Sequence, residues 1–147
     1  MAAGFDDPVL ASASTLARAI RAKQISSVEV VTAHLRRIEA VNARLNAIVQ
    51  ISETALAEAR AADAALARGH VGALHGVPFT VKDWIETAGL VCAAGAEQRR
   101  TFVPQRDATA VARMRAAGGI VLGKTKPGST ADVYPQPHNP YDARRTP

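Results

Sequence analysis

The sequence predicts an α/β fold, and three features carry that prediction. Two compact apolar runs, one in "VPFTVKDWI" and one in "IVLG", read as strands. Between them lie a loop of small residues and one amphipathic segment that begins at Asp107 and closes at Gly118-Gly119. Ahead of both, residues 14–69 repeat their apolar residues at helical spacing. Strand, loop, helix, strand is the order of a crossover unit in a parallel or mixed sheet.

Residues 1–11 read as a loose lead-in. A first helix is expected over Thr15 to Lys23, capped by Ser14. The next start is stronger. Ser26-Ser27-Val28-Glu29 fits a capping box, in which hydroxyl and carboxylate each satisfy a free backbone N–H. From there Val28, Val31, Leu35, Ile38 and Val41 recur at three- and four-residue steps and form one apolar stripe. "LNAIVQI", rich in β-branched residues, is a short strand or an extended link. Ser52 is expected to cap an alanine-rich helix that stops at Gly69, with Leu56 and Leu66 its large apolar members. Residues 70–76 are a turn. "VPFTVKDWI" lacks strict alternation, so it is expected to be covered on both faces, with Pro78 near its start. Residues 87–105 read as irregular loop. Asp107 is the expected cap of the following helix, with Val111 and Met114 facing inward. Five of the eight prolines fall between Pro127 and Pro147, which excludes a regular helix or a central strand there. The expected organisation is therefore a mainly helical part, 14–69, the start of an α/β core, 74–125, and an irregular Pro-rich segment, 126–147.

Composition narrows the function classes. The chain has 147 residues, 48% apolar and 21% charged, the balance of a globular protein. Its net charge of +5 is mostly arginine, in scattered pairs rather than on one face with stacking aromatics. That distribution argues against a specific nucleic-acid binder. Cys92 is the only cysteine, so no internal disulfide forms and a reducing, cytoplasmic setting is expected. No apolar run is long enough to span a bilayer. His34, His70, His75 and His138 show no metal-ligand spacing, and no metal or cofactor is expected. Cys92 with His75 is conceivable as a nucleophile pair, but a lone small thiol more often fills a core. "GGIVLGKT" ends in Gly-Lys-Thr without the glycine spacing of a phosphate-binding loop.

Lys82 is the remaining candidate. It is one of four lysines and sits at the end of an apolar run. Two readings stand side by side. It is an exposed strand-end lysine paired with Asp83. Or it is desolvated by Phe79, Trp84 and Ile85, which would favour the neutral amine and let it act as a base.

Three blocks, "GALHGVPFTVKDWIETAGLVCAAGA", "FVPQRDATAVARMRAAGGIVLGKT" and "NPYDARRTP", occur in an order and at separations that resemble the opening third of an amidase signature enzyme. The resemblance covers Leu74 to Thr125 and Asn139 to Pro147 in motif, and 14–69 in layout only. It implies a mixed central sheet covered by helices, of which this chain is the N-terminal and incomplete part. It also implies hydrolysis of a carboxylic amide through an acyl-enzyme formed by two serines and a lysine. The lysine block matches Val81-Lys82-Asp83, so the resemblance makes Lys82 the catalytic lysine. None of Ser12, Ser14, Ser26, Ser27, Ser52 or Ser129 lies in a matching motif, so neither serine is assigned and the chain alone is expected to be inactive. Members commonly carry Asn, then proline and an acidic residue, after Gly-Lys-Thr; here Lys126-Pro127-Gly128-Ser129 stands instead. The partner expected is a small-molecule amide, with no membrane and with a homodimer left open. Two alternatives are the A component of a glutamyl-tRNA(Gln) amidotransferase, a close relative, and a non-catalytic basic binding module.

Overall fold

The computed structural model describes residues 7–69, 71–128, 133–142 and 144–147. Four α-helices and three strands follow in the order α1 (Ala13–Arg21), α2 (Ser27–Leu45), β1 (Ile48–Ile51), α3 (Ala55–Ala67), β2 (Pro78–Lys82), α4 (Thr109–Ala116) and β3 (Ile120–Thr125). A single 3-10 turn, Glu97–Arg99, interrupts the long loop between β2 and α4. The α/β class is as predicted. The chain divides into two compact units, residues 1–37, 53–79 and 113–122 in one, residues 38–52, 80–112 and 123–147 in the other.

The strands form one sheet in the order β1-β3-β2. β1 runs antiparallel to β3, with Ile48 opposite Thr125, Gln50 opposite Lys124 and Ile51 opposite Gly123, and a bulge lies between Ile48 and Gln50. At the two ends of β2, Ile120 N donates to Val77 O and Asp83 N donates to Thr125 O. Both chains advance in the same sense across those bonds, so β2 and β3 are parallel and the sheet is mixed. The central strand, β3, is buried from Ile120 to Lys124. β2 is not. Its side chains vary from half-buried Pro78 and Phe79 through exposed Thr80, buried Val81 and exposed Lys82. The expectation that both faces of β2 are covered is corrected: the strand lies at an edge of the sheet, and full coverage belongs to β3.

In the first unit Leu16, Ala17 and Ile20 of α1 pack with Val30 of α2 and with Val77. Each fully buried isoleucine or valine there is worth about 1.5–3 kcal/mol. Helix α1 starts two residues earlier than expected, because Ser12 rather than Ser14 is the cap and its Oγ accepts from Thr15 N at 3.2 Å. It also ends at Arg21, and Lys23 takes a left-handed φ of 56°. The capping box of α2 forms as read: Ser26 N donates to Glu29 Oε2 at 2.8 Å and Glu29 N to Ser26 Oγ at 3.1 Å. Asp63 adds a second cap by accepting from Ser27 N and Val28 N. The inward stripe includes Val30, which the three- and four-residue spacing did not single out. Helix α3 begins at Ala55, and Thr54 holds the N-cap position in place of Ser52. The Thr54 hydroxyl donates to Glu58 instead of capping. Ser52 is buried. The buried face of α3 is Ala55 and Ala59, with the two leucines only half-buried. Gly118, at φ 91°, closes α4 in a Schellman turn: Gly118 N donates to Arg115 O and Gly119 N to Met114 O.

Candidate active site

The site lies in the second unit, where β2 and β3 end. Lys82 is the last residue of β2 and its side chain is exposed. Its Nζ donates to the carbonyl of Lys126 at 2.8 Å. The enclosure expected of Phe79, Trp84 and Ile85 is not present, since Trp84 is 58% exposed. Nor does Lys82 turn to Asp83. Alternation along the strand sends these neighbours to opposite faces, and Asp83 is fully buried.

Asp83 organises the buried side. Its Oδ2 accepts from Ala94 N at 2.8 Å and from the Tyr134 hydroxyl at 2.9 Å. Its carbonyl accepts from Cys92 Sγ. Its Oδ1 is buried and has no hydrogen-bond partner among the described residues. Burial, and then the hydrogen bond to Asp83, push the Tyr134 phenol well above the usual tyrosine range. Both effects penalise the phenolate.

The lysine that loses all water is Lys124, on β3. Its Nζ donates to Ile85 O at 2.6 Å and to Thr87 Oγ1 at 3.3 Å. Burial lowers its pKa from the ordinary lysine value, against the opposing pull of Cys92, Asp83 and Glu86. Lys126 is also buried, with Nζ on Tyr134 O at 3.1 Å and its backbone N on Ala47 O. Neither Lys124 nor Lys126 stood out as a site residue in the sequence. The available signal was their place just after the apolar run Ile120 to Gly123.

The irregular segment 133–142 is fastened to the end of α2. His138 N donates to Leu45 O and its Nδ1 to Arg44 O, both at 2.8 Å, and Asn46 Nδ2 donates to Gln136 O. Between this segment and the strand ends is a cavity of about 690 Å³, bordered by Lys82, Lys126, Ala47, His138 and Thr146. The candidate nucleophile pair separates into two local roles. Cys92 Sγ is bound to Asp83 O, and His75 Nε2 to Ala62 O at 2.8 Å. Ser12, Ser14 and Ser26 serve helix starts, while Ser27 and Ser52 are buried. Ser129 and His70 lie outside the described residues. Among the described residues no group of three or more His, Cys, Asp or Glu side chains could hold a metal ion, and no helix is long and apolar enough to cross a membrane.

A lysine anchored on a carbonyl beside a cavity, just after "GVPFTV", fits the relationship that comparison with known proteins reveals. The Amidase family model matches residues 29–147. The chain belongs to the amidase family. It is 47% identical over 132 residues to AmiD, named as an amidase, of Mycobacterium tuberculosis, covering 84% of this chain and 27% of that protein. It is 40% identical over 149 residues to the A component of the glutamyl-tRNA(Gln) amidotransferase of Bdellovibrio bacteriovorus, covering 96% and 30%. Among solved structures, peptide amidase from Stenotrophomonas maltophilia superposes with a TM-score of 0.75 at 35% identity, over 79% of this chain and 24% of that one. An amidase family protein from Bacillus anthracis does so with 0.81 at 27% identity, over 92% and 30%. The chain thus spans about a quarter to a third of the length of the relatives it matches.

Proposed function

We propose that the chain contributes the lysine of an amide-hydrolysing site, with Lys82 as its proton relay. The observation that supports this is the setting of Lys82, on the wall of a 690 Å³ cavity with Nζ held by a carbonyl, in a chain of the amidase family. In this reading a serine hydroxyl attacks the amide carbonyl. Its proton passes through a second serine to the Lys82 amine and on to the departing amine. Water then cleaves the acyl-serine to the acid. Both serines come from polypeptide beyond these 147 residues, which form the N-terminal part of a single amidase domain. Lys82 can accept a proton only as the neutral amine. Lys82 is exposed in the present chain, so in this reading the rest of the enzyme is expected to cover it and exclude water.

The test compares the 147-residue chain with the polypeptide extended past Pro147. The chain alone is expected to release no amine from simple amides. The extended enzyme is expected to do so, and to lose about 10²–10⁴-fold in turnover in Lys82→Ala. Turnover that survives this substitution removes the proposal.

A second reading is supported by the 40% identity, over 96% of the chain, to the A component of an amidotransferase. Here the site would release ammonia from glutamine for a tRNA-bound substrate. Co-purification of the extended protein with two further polypeptides favours it. Hydrolysis of simple amides by the isolated protein counts against it.

A further inference from the structure

Lys82, Lys126, Tyr134 and Asp83 form a closed ring. Lys82 Nζ donates to Lys126 O, Lys126 Nζ to Tyr134 O, and the Tyr134 hydroxyl to Asp83 Oδ2, at 2.8, 3.1 and 2.9 Å. The peptide bond from Asp83 back to Lys82 completes it. We propose that Tyr134 is a positioning residue for Lys82, acting through Asp83 on one side and Lys126 on the other. The role matters for catalysis only if Lys82 is the relay described above, and it adds a residue to that site.

The first arm of the ring is the buried carboxylate. Asp83 has no water contact, and its Oδ1 has no hydrogen-bond partner among the described residues. Two donors on Oδ2 hold it, Ala94 N and the Tyr134 hydroxyl. A buried carboxyl oxygen that loses one of two donors shifts toward other donors or toward water. Asp83 adjoins Lys82, so such a shift moves the Lys82 backbone. The second arm fixes the acceptor. The Lys126 peptide is tied at its N–H to Ala47 O, and its side chain returns to Tyr134 O. The Lys126 carbonyl that receives Lys82 is therefore held from both ends. A lysine has four rotatable bonds, and a relay that reaches its partner by hydrogen bonding tolerates little misplacement. Tyr134 follows the stretch Lys126 to Ser129, where the sequence departs from the common pattern after Gly-Lys-Thr.

The test follows modification of each lysine by an amine-reactive ester in the 147-residue chain, read by mass spectrometry. Exposed Lys23 is the reference and buried Lys124 reports general opening. Tyr134→Phe removes the hydroxyl and keeps the backbone acceptor of Lys126. It is expected to raise the rate at Lys82 several-fold relative to Lys23 while Lys124 stays protected. An unchanged Lys82 rate with Lys124 protected overturns the proposal. If Tyr134→Phe exposes Lys124, then Lys126→Met decides by the same ratio, since it cuts the ring elsewhere and keeps the carbonyl. Exposure of Lys124 in both variants also overturns the proposal, because the ring would then serve the fold as a whole. In the extended enzyme Tyr134→Phe is expected to lower kcat about tenfold with KM unchanged. Loss of turnover in Lys82→Ala with full turnover in Tyr134→Phe removes only the role of Tyr134. Full turnover in Lys82→Ala removes the reading of Lys82 and leaves the labelling result standing.

Discussion

Burial shifts Lys124 and Tyr134 in opposite directions, and their titrations act on stability in opposite senses. The folded-state pKa of Lys124 is lowered by burial. Below that value both folded and unfolded chains carry the proton, so the cost of burying the charge is present in full. Between it and the unfolded value near 10.4 the unfolded chain binds more protons, and stability rises with pH. Tyr134 is raised above its unfolded value near 10. Its contribution is fully present below that pH and is lost as pH climbs beyond it. Denaturant unfolding against pH should therefore show stability climbing toward about pH 10 and then declining. Lys124→Met should flatten the rising limb, and Tyr134→Phe the falling one. At pH 7 Lys124→Met should be neutral or stabilising, because it removes a buried amine whose hydrogen bonds run only to neutral groups. Ile85 O keeps the Thr87 hydroxyl as a donor in its absence. A loss of several kcal/mol there would mean that Lys124 is paired more strongly than its two hydrogen bonds indicate.

At the level of elements, local chemistry was legible and strand order was not. The capping box at Ser26 and Glu29 could be read because both partners lie within one turn. Ser26→Ala should cost about 1 kcal/mol, or about 3 °C in Tm for a chain of this size. Ser26 bonds also hold the Glu29 carboxyl below its ordinary range, so this stabilisation is present at neutral pH and lost as pH falls through the acid region. The cap at Ser12 and the start of α3 after Thr54 were missed because several neighbouring residues are chemically able to hold the N-cap position, and tertiary packing selects among them. The two apolar strands were recognised, yet complete burial was assigned to β2 when it belongs to β3. Local sequence does not say which strand is central. That depends on β1, some 75 residues earlier, joining the far side of β3. The same long-range pairing explains why Lys124 is buried and Lys82 exposed, although each closes an apolar run. Gly123 makes that approach feasible. A Cβ there would collide with Gln50 O on β1, and its φ of 158° lies at the edge of the range that favours glycine. Gly123→Ala should open the β1–β3 ladder. Amide exchange at Ile51 should then rise while Val30 N, in α2, keeps its protection.

Over the whole molecule the net charge of +5 is the feature that speaks for a binding module rather than an enzyme. How the arginines are used weakens that alternative. Arg99 faces Glu86 at 3.5 Å and lies over the Phe102 ring at 4.3 Å from its centroid. Arg100 pairs with Glu97, and Arg144 and Arg145 share Asp142. These guanidinium groups have local acidic partners, so they present less free charge to a polyanion than the sequence total indicates. Such surface pairs contribute little to stability, but a phosphate backbone must compete with them. Binding to heparin should therefore be weak and lost at modest salt, with a shallow dependence of log K on log salt and no preference among oligonucleotide sequences. Asp142→Asn frees two arginines at once and should deepen that salt dependence, whereas Lys82→Ala should change it little. Tight, sequence-selective binding by the unmodified chain would reverse the ranking and make the basic module the better account of what these residues do.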